Sequence, residues 1–356
     1  MAAACNDGGP FPCTEYGCPN FWVGCDMLAT ACSVTFDSIW TILPTQRLSG
    51  RRIADECPVT CGKCASSCRL LAREILTHAM GEDHEVQRLY FVLPEESTAH
   101  GPTAHLKVRA PDAPGQLNRV RAYSALLDSD VAPSTFNLTV KIYPGGPPQT
   151  RGTSAYLGRL PVGASLEVLQ SRAMQWALQP SQFGSARVGL VAFGVGIAEM
   201  IEPAERILDA GGQVTLLYAA RTVESLLYRH WTCTLLRAHP SRFRVRYSIS
   251  RPTRPLATAW TGACGDAADA ADASDKATAG RVDEAVIHEE FGSWRESGGG
   301  HFVVVGTRPM EHTAWQWVQA TVGKSEARAL LSGGGGWRSL RREPPGVCPQ
   351  PPGTSA

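Results

Sequence analysis

The chain has 356 residues, of which 43% are hydrophobic, and its formal net charge is +1. This charge provides no bulk attraction to nucleic acid or to anionic membranes, so we expect no nucleic-acid partner. The length and the apolar content predict two or three domains. We expect no membrane span, because no segment reaches the about 20 apolar residues that one requires, and the start "MAAACNDGG" shows no secretory signal.

The twelve cysteines are unevenly distributed. Nine lie at or before Cys68, and the other three, Cys233, Cys264 and Cys348, are far apart. A dense cluster at one end predicts a small cross-linked module, here residues 1–68, joined to a chain that folds around an ordinary core.

The spacing of apolar residues divides the rest of the chain into segments with different predicted structures. Apolar residues at helical spacing predict a connecting helix over 69–84. Short β-rich runs separated by Gly and Pro predict an antiparallel β-barrel over 85–172. Alternating strand and helix patterns predict an open parallel α/β sheet over 186–325. We interpret the Ala/Asp tract 265–280 as a flexible insertion and the Gly/Pro-rich segment 326–356 as a disordered tail.

The cysteine module has a characteristic residue pattern at its two ends, formed by Cys5, Asp7, Cys57, Pro58, Thr60, Cys61, Gly62 and Cys64. By this pattern it resembles the ShK toxin-like (ShKT) domain. The resemblance implies three disulfides, for which the candidate cysteines are Cys5, Cys18, Cys25, Cys57, Cys61 and Cys64. Their pairing stays open, because six cysteines allow 15 connectivities and Cys13, Cys32 and Cys68 are additional.

The same cysteines raise two metal-binding hypotheses, an iron–sulfur loop and a zinc site, and the sequence favours neither. The spacing of Cys57, Cys61 and Cys64 is that of a radical-SAM iron–sulfur loop, but no barrel-length sequence surrounds it. A zinc site would need a second Cys-x2-Cys pair, and none occurs elsewhere. We therefore predict structural disulfides and no metal site.

The segment "RVRAYSALL" resembles the flavin signature of the ferredoxin-reductase superfamily. The segments "VKIYPGG" and "TRGTSAYLG" follow in the order found in cytochrome b5 reductase. By this resemblance, FAD is contacted by Arg121, Tyr123 and Ser124, supported by Lys141 and Tyr143, and held at its diphosphate by Gly152, Thr153 and Ser154. His105 falls where the family has a histidine.

The α/β part continues the resemblance with "LVAFGVGIAEM" and "HFVVVGTRPMEH". It implies that a nicotinamide nucleotide binds over Gly194, Gly196, Gly306, Pro309 and Met310. Several positions depart from the family pattern: Phe193, Val195, Ala198 and Glu199 replace a glycine, two threonines and a proline, and Val305 replaces a cysteine. Because a proline inside a helix clashes with the preceding turn, Pro203 predicts a helix that begins near it, after an altered loop.

The resemblance as a whole implies a multidomain flavoprotein: a disulfide-rich module, a ferredoxin-reductase-type barrel and a Rossmann-like nucleotide domain. Its implied function is electron transfer from NADH or NADPH through FAD to an acceptor such as a haem protein, with an altered nicotinamide site and no assigned catalytic residue. The alternative is a non-catalytic scaffold whose ShKT-like module binds a protein partner. A third hypothesis is that this module blocks an ion channel. Compartment stays open, since disulfide-rich modules belong to oxidising spaces and reductases of this type usually face the cytosol.

Overall fold

A computed structural model gives the fold of the chain. It describes residues 11–12, 22–23, 65–78, 84–92, 105–110, 120–127, 135–143, 152–170, 175–256, 260, 262, 264 and 275–332. The short strands β1 (Phe11–Pro12) and β2 (Trp22–Val23) pair antiparallel near the amino terminus. None of the described helices has the length and apolarity that a membrane crossing demands. The six candidate disulfide cysteines of the amino-terminal module lie outside the described residues.

Six antiparallel strands close into a barrel in the order β3–β4–β7–β6–β5–β8. They are β3 (Ala65–Thr77), β4 (Val86–Val92), β5 (His105–Arg109), β6 (Val120–Leu127), β7 (Thr135–Lys141) and β8 (Ser165–Gln170). Helix α1 (Thr153–Arg159) lies between β7 and β8. Inward residues of alternate positions, such as Phe91, Phe136 and Leu138, fill the barrel. On β4 the burial alternates from Gln87 onward, as expected of a strand that faces a core on one side, whereas the first six residues of β7 are all buried.

The second half is a six-stranded parallel sheet in the order β13–β12–β11–β10–β14–β15. Its strands are β10 (Arg187–Phe193), β11 (Gln213–Ala220), β12 (Phe243–Ile249), β13 (Asp275–Ala279), β14 (Gly300–Val305) and β15 (Ala327–Ala329). Its helices are α2 (Ile201–Asp209), α3 (Arg229–Ala238), α4 (Glu284–Phe291) and α5 (Arg308–Val322), with 3-10 helices at Pro180–Ser185, Gly194–Met200 and Gly292–Trp294. A small antiparallel pair joins β9 (Gln175–Trp176) to β16 (Leu331–Ser332).

The central strands of this sheet are buried on both faces. All five interior residues of β10 are buried, which is why its sequence is a continuous apolar run rather than an alternating one. Gly189 is required by this packing, because a Cβ there would lie 2.4 Å from the Phe302 ring on the neighbouring strand. The parallel α/β architecture predicted for 186–325 is confirmed.

The predicted connecting helix over 69–84 is wrong. Residues Ala65–Thr77 instead form β3, the longest strand of the barrel, which hydrogen-bonds to β4 on one side and β8 on the other. A lone helix would leave both neighbouring strands with unpaired edges, so the closure of the barrel overrides the helical spacing of the leucines. The barrel therefore begins about 20 residues before the predicted boundary at residue 85.

Three other boundaries change for a related reason. The last residues of the predicted 1–68 module belong to β3, and Cys68 is a buried free thiol whose Sγ lies 3.4 Å from the Leu166 carbonyl oxygen. The end of the 265–280 insertion is the edge strand β13, and the start of the 326–356 tail is β15 and β16. Each segment has low apolar content but gains main-chain hydrogen bonds to neighbouring strands, within the barrel for β3 and at the two edges of the parallel sheet for β13 and β15.

The structure also contains a disulfide between Cys233 and Cys264, which their wide separation in the sequence did not predict. Their Cα atoms are 4.9 Å apart, although 31 residues separate them in the chain. The bond ties helix α3 to the segment that follows β12.

Candidate functional site

The turn after β10 is the centre of the predicted nucleotide site. Residues Gly194–Met200 form a 3-10 helix that leads directly into α2 at Ile201. The chain leaves the strand through Gly194 at φ +55°, a left-handed conformation that glycine adopts without steric cost. Pro203 stands at the third position of α2, where its missing N–H has no intrahelical acceptor to lose, so the helix begins near Pro203 as predicted.

The two glycine-containing turns of the nucleotide half pack against each other. A Cβ on Gly196 would lie 2.7 Å from the Val305 carbonyl oxygen and 3.0 Å from Val305 Cγ1. A Cβ on Gly306 would lie 2.9 Å from Cδ2 of the Phe193 ring. The structure thus brings Gly194, Gly196 and Gly306 to one edge of the sheet, with Phe193 covering Gly306.

The carboxylate of Glu311 holds the backbone of the second glycine-containing turn, at Gly306. Glu311, in the first turn of α5, accepts a hydrogen bond from the Gly306 backbone N–H at 3.0 Å. Burial raises the pKa of the Glu311 carboxyl, the bond from Gly306 opposes this rise, and the nearby Glu199 carboxylate adds to it. Two carboxylates therefore lie near the nucleotide turns, where a bound phosphate would meet unfavourable charge.

A third carboxylate follows in the first turn of α2. Burial raises the pKa of Glu202 to about 7, against the opposing effect of Arg206, whose Nε lies 2.7 Å from a Glu202 oxygen. Glu205 contributes a smaller rise through like-charge repulsion. A carboxyl with this pKa changes its charge near neutral pH, and Glu202 lies beside the amino end of α2.

The barrel and the sheet meet next to this turn. The 3-10 helix Gly194–Met200 lies against β6 and β7 of the barrel. Across the same junction, the hydroxyls of Thr139 on β7 and Tyr228 before α3 share a hydrogen bond, and the Arg88 guanidinium lies 4.9 Å from the centre of the Tyr228 ring. Tyr228 is held at φ +57°, which is uncommon for a residue with a large side chain.

The predicted flavin strand is β6. Its start is exposed at Arg121, while Tyr123 packs in part against the barrel core and Ser124 is half-buried. Burial raises the pKa of the Tyr123 phenol, and the cationic Arg121 opposes that rise. Because Arg121 and Tyr123 are two residues apart on a strand, they lie on the same face of β6.

The predicted diphosphate cradle is assembled from the end of β7 and the start of α1. The Tyr143 backbone N–H lies 3.5 Å from Ser154 Oγ, at the long end of hydrogen bonding. The Tyr143 ring is 50% exposed, with Lys141 Nζ at 5.9 Å and the His84 ring at 4.6 Å. A Cβ on Gly152 would meet nothing within 4 Å, so the space above this residue is open, whereas Thr153 is buried.

The predicted flavin and nucleotide residues thus form two assemblies, and the residues of the predicted flavin strand β6 are separate from both. Lys141 and Tyr143 join residues 152–154 in one assembly, and the glycines of the two turns join in the other. Pro309 and Met310 are exposed at the start of α5, next to Gly306. His105 pairs with Ser124 across β5 and β6 through the backbone, and its side chain lies outside the described residues.

Sequence reasoning missed Glu311, Thr139 and Tyr228. For Glu311 a signal existed, because acidic residues are favoured in the first turn of a helix, where backbone N–H groups lack intrahelical acceptors. For Thr139 and Tyr228 there was none, since these two residues are 89 positions apart in the chain and belong to different domains.

Parts of the chain are similar to known proteins. Residues 190–316 match the family described as the oxidoreductase NAD-binding domain. NADH–cytochrome b5 reductase 1 of Arabidopsis thaliana is 30% identical over 175 residues, which is 48% of this chain and 58% of the relative. NADH-cytochrome b5 reductase 2 of Neurospora crassa is 29% identical over 182 residues, 49% of this chain and 50% of the relative. The chain thus spans about half the length of the curated relatives it matches.

Solved structures show the same fold at lower identity. The cytochrome b5 reductase domain of Ulva prolifera nitrate reductase superimposes with a TM-score of 0.54 at 20% identity, over 75% of this chain and 98% of that one. The alignment includes both the closed antiparallel sheet and the parallel sheet, since neither alone makes up three quarters of the chain. The chain therefore has a ferredoxin-reductase-like fold, and its residues 190–316 match the oxidoreductase NAD-binding domain family.

Proposed function

We propose that this protein is a flavin-dependent oxidoreductase that passes electrons from NADH or NADPH through FAD to an acceptor, as a cytochrome b5 reductase does. The observation that carries the proposal is the junction at which the nucleotide turn Gly194–Met200 lies against the predicted flavin strand β6. Hydride transfer requires donor and acceptor to meet in one cleft, and this junction places the two predicted binding elements side by side.

The described residues fit FAD. The open space at Gly152 admits a close approach to the backbone, and the exposed Tyr143 ring beside Lys141 offers an aromatic face and a positive charge. Arg121 adds an exposed guanidinium, a group that pairs well with a diphosphate. FAD, when bound, supplies the redox chemistry between a two-electron donor and a one-electron acceptor.

The residues of this chain would bind and orient the reactants. In the proposal, residues 152–154 and Arg121 hold the diphosphate, and Tyr123 and Ser124 orient the flavin ring. Gly194 and Gly196 let the nicotinamide nucleotide approach the backbone, and Gly306, held by Glu311, shapes the opposite wall. The Thr139–Tyr228 contact keeps the two walls together.

The proposal is tested by flavin binding and reduction. We expect the purified full chain to take up FAD, to show flavin absorbance and to lose that absorbance when NADH or NADPH is added without oxygen. Arg121→Gln should weaken FAD binding about tenfold, since a hydrogen bond to a charged group is worth about 1.5–3 kcal/mol. Arg69→Gln, at an exposed position of β3, is the matched control and should bind FAD normally. Failure to bind FAD, or flavin that neither nucleotide reduces, would refute the proposal.

The altered nicotinamide site is part of the proposal. Phe193 lies over Gly306 where the resemblance implies a glycine, so its ring narrows the approach to the turn. We expect Phe193→Gly to lower the KM for the nicotinamide nucleotide about tenfold, and Val305→Cys to raise kcat without a large change in KM. Steady-state kinetics of the FAD-loaded variants measures both. An unchanged or raised KM for Phe193→Gly would show that the ring does not obstruct the site.

The acceptor belongs to the same proposal. The curated relatives are named as cytochrome b5 reductases, which favours a haem protein of the cytochrome b5 type and favours an enzyme over a non-catalytic scaffold. A protein partner for the ShKT-like module, and an oxidising compartment for it, stay predictions from the cysteine pattern of residues 1–68.

A further inference from the structure

We propose that a cavity at the amino edge of the parallel sheet binds a small organic phosphate, whose phosphate group contacts Arg187, His301 and Arg328. The cavity has a volume of about 310 Å³, a size that suits a small ligand. It lies at the opposite end of β10 from the nucleotide turn Gly194–Met200. Its ligand is therefore independent of the proposed electron-transfer site.

The three basic side chains come from the starts of neighbouring strands. Arg187 is the first residue of β10, and His301 and Arg328 are the second residues of β14 and β15. Strand β14 lies between β10 and β15, and His301 pairs in parallel register with Arg328. Residues paired in this way project from the same face of a sheet, so this imidazole and this guanidinium lie side by side.

The cavity is positively charged and has no acidic residue in its wall. Besides the three basic residues, the lining consists of Leu178, Gln182, Ser185, Ala186 and residues 297–300. The Glu326 carboxylate, which follows β14 in the chain, interacts instead with Ser325 and Arg295. Burial lowers the pKa of His301 and the positive charge of Arg328 lowers it further, as expected where no carboxylate compensates the arginine.

Both guanidinium groups are oriented by partners that carry no negative charge. The Arg187 Cζ lies 4.7 Å from the centre of the Trp294 ring, and its Nη1 donates a hydrogen bond to Ser297 Oγ. The Arg328 Nη2 donates to the Gly298 carbonyl oxygen at 3.3 Å. Because a guanidinium has five N–H donors in a fixed plane, each arginine keeps donors for the oxygens of a phosphate.

The turn over residues 297–300 holds one wall of the cavity in a fixed shape. Gly298 and Gly299 have φ angles of +82° and +76°, which glycine adopts without steric cost. The Gly299 N–H donates to the Trp294 carbonyl oxygen at 2.8 Å, and the Gly300 N–H donates to the Glu326 carbonyl oxygen at 3.1 Å. The wall is therefore preorganised, and a ligand loses little affinity to the cost of ordering it.

The opposite wall favours a phosphate ester over a bare phosphate ion. Gln182 and Ser185 belong to the 3-10 helix Pro180–Ser185 and supply an amide and a hydroxyl. The Gln182 Oε1 accepts a hydrogen bond from the Gln179 N–H at 2.9 Å, which leaves the amide NH2 group as a donor. Such groups suit a small hydroxylated body attached to the phosphate.

Calorimetry on the full chain, with glycerol 3-phosphate and inorganic phosphate as probes, tests this site. We expect the ester to bind about tenfold more tightly, because it alone reaches the amide and the hydroxyl. Arg328→Gln and Arg187→Gln should each weaken ester binding about tenfold through the loss of a charged hydrogen bond. Arg244→Gln is the matched control, since Arg244 is exposed at the start of β12 on the same sheet edge but outside the cavity.

Competition with a nicotinamide nucleotide separates this site from the proposed function. Saturating NADH should leave the affinity for glycerol 3-phosphate unchanged, because the two sites lie at opposite ends of β10. Absence of ester binding, equal affinity for the two probes, displacement by NADH, or equal weakening by the Arg244 control would each overturn the proposal. If the arginine substitutions weaken ester binding but the protein takes up no FAD, the phosphate site stands and the proposed reductase activity falls.

Discussion

In the proposed reductase, Gly196→Ala should reduce the rate of flavin reduction by the nicotinamide nucleotide about 100-fold. An added Cβ would lie 2.7 Å from the Val305 carbonyl oxygen, and this neighbour is backbone, so the turn itself has to move. A displacement of about 1 Å between reacting groups is enough for a loss of this size. Stopped-flow absorbance of the FAD-loaded variant measures the rate directly.

A matched substitution shows whether the effect is local. Gly292→Ala is also a single methyl addition, at a helix end where the Cβ would meet only the His288 side chain at 3.3 Å. It should leave the rate unchanged. If Gly196→Ala reduced flavin at the normal rate while folding normally, the contact between the two turns would have no part in nucleotide binding.

The second large effect is on stability and concerns Glu202. Burial raises the pKa of this carboxyl from 4.5 to about 7 in the folded protein, so its ionised form is less favourable in the folded than in the unfolded chain. Well below pH 4.5 the carboxyl is neutral in both states and carries no penalty. As pH rises to about 7 the unfolded chain ionises first, and the free energy of unfolding therefore falls.

Glu202→Gln should remove this penalty. At pH 8 we expect the variant to be more stable than the unaltered protein by roughly 3 kcal/mol, because one unit of pKa corresponds to about 1.36 kcal/mol. At pH 4.5 the two should be nearly equal. Urea denaturation at both pH values measures the difference, with Glu284→Gln, an exposed first-turn glutamate of α4, as the control. A stability difference that is the same at both pH values would contradict the prediction.

The sequence was most informative where burial alone decides the structure. The strands of the parallel sheet are buried on both faces, so runs such as residues 188–192 identify them without further knowledge. The failure at β3 has the opposite origin. Its leucines suit a helix equally well, and only pairing with β4, the next strand, and with β8, which lies far along the chain, selects the strand.

The candidate site likewise contains residues that the sequence could identify and contacts that it could not. The glycines of the two turns could be recognised from local spacing, because close backbone approach has a residue-type signature. Their mutual contact, the Phe193 ring over Gly306 and the carboxylate of Glu311 depend on which strands are neighbours, and β10 and β14 are separated by more than 100 residues. Spacing carries no information about such neighbours.

The contact between Tyr228 and the barrel has a consequence for how the protein works. Thr139 and Arg88 engage the same tyrosine from two adjacent barrel strands, and its backbone conformation is set by the start of α3. Any hinge motion that separated the two halves would have to give up both interactions at once. In the proposed reductase we therefore expect the width of the cleft to stay constant, so that electron donor and acceptor enter and leave by diffusion at its rims.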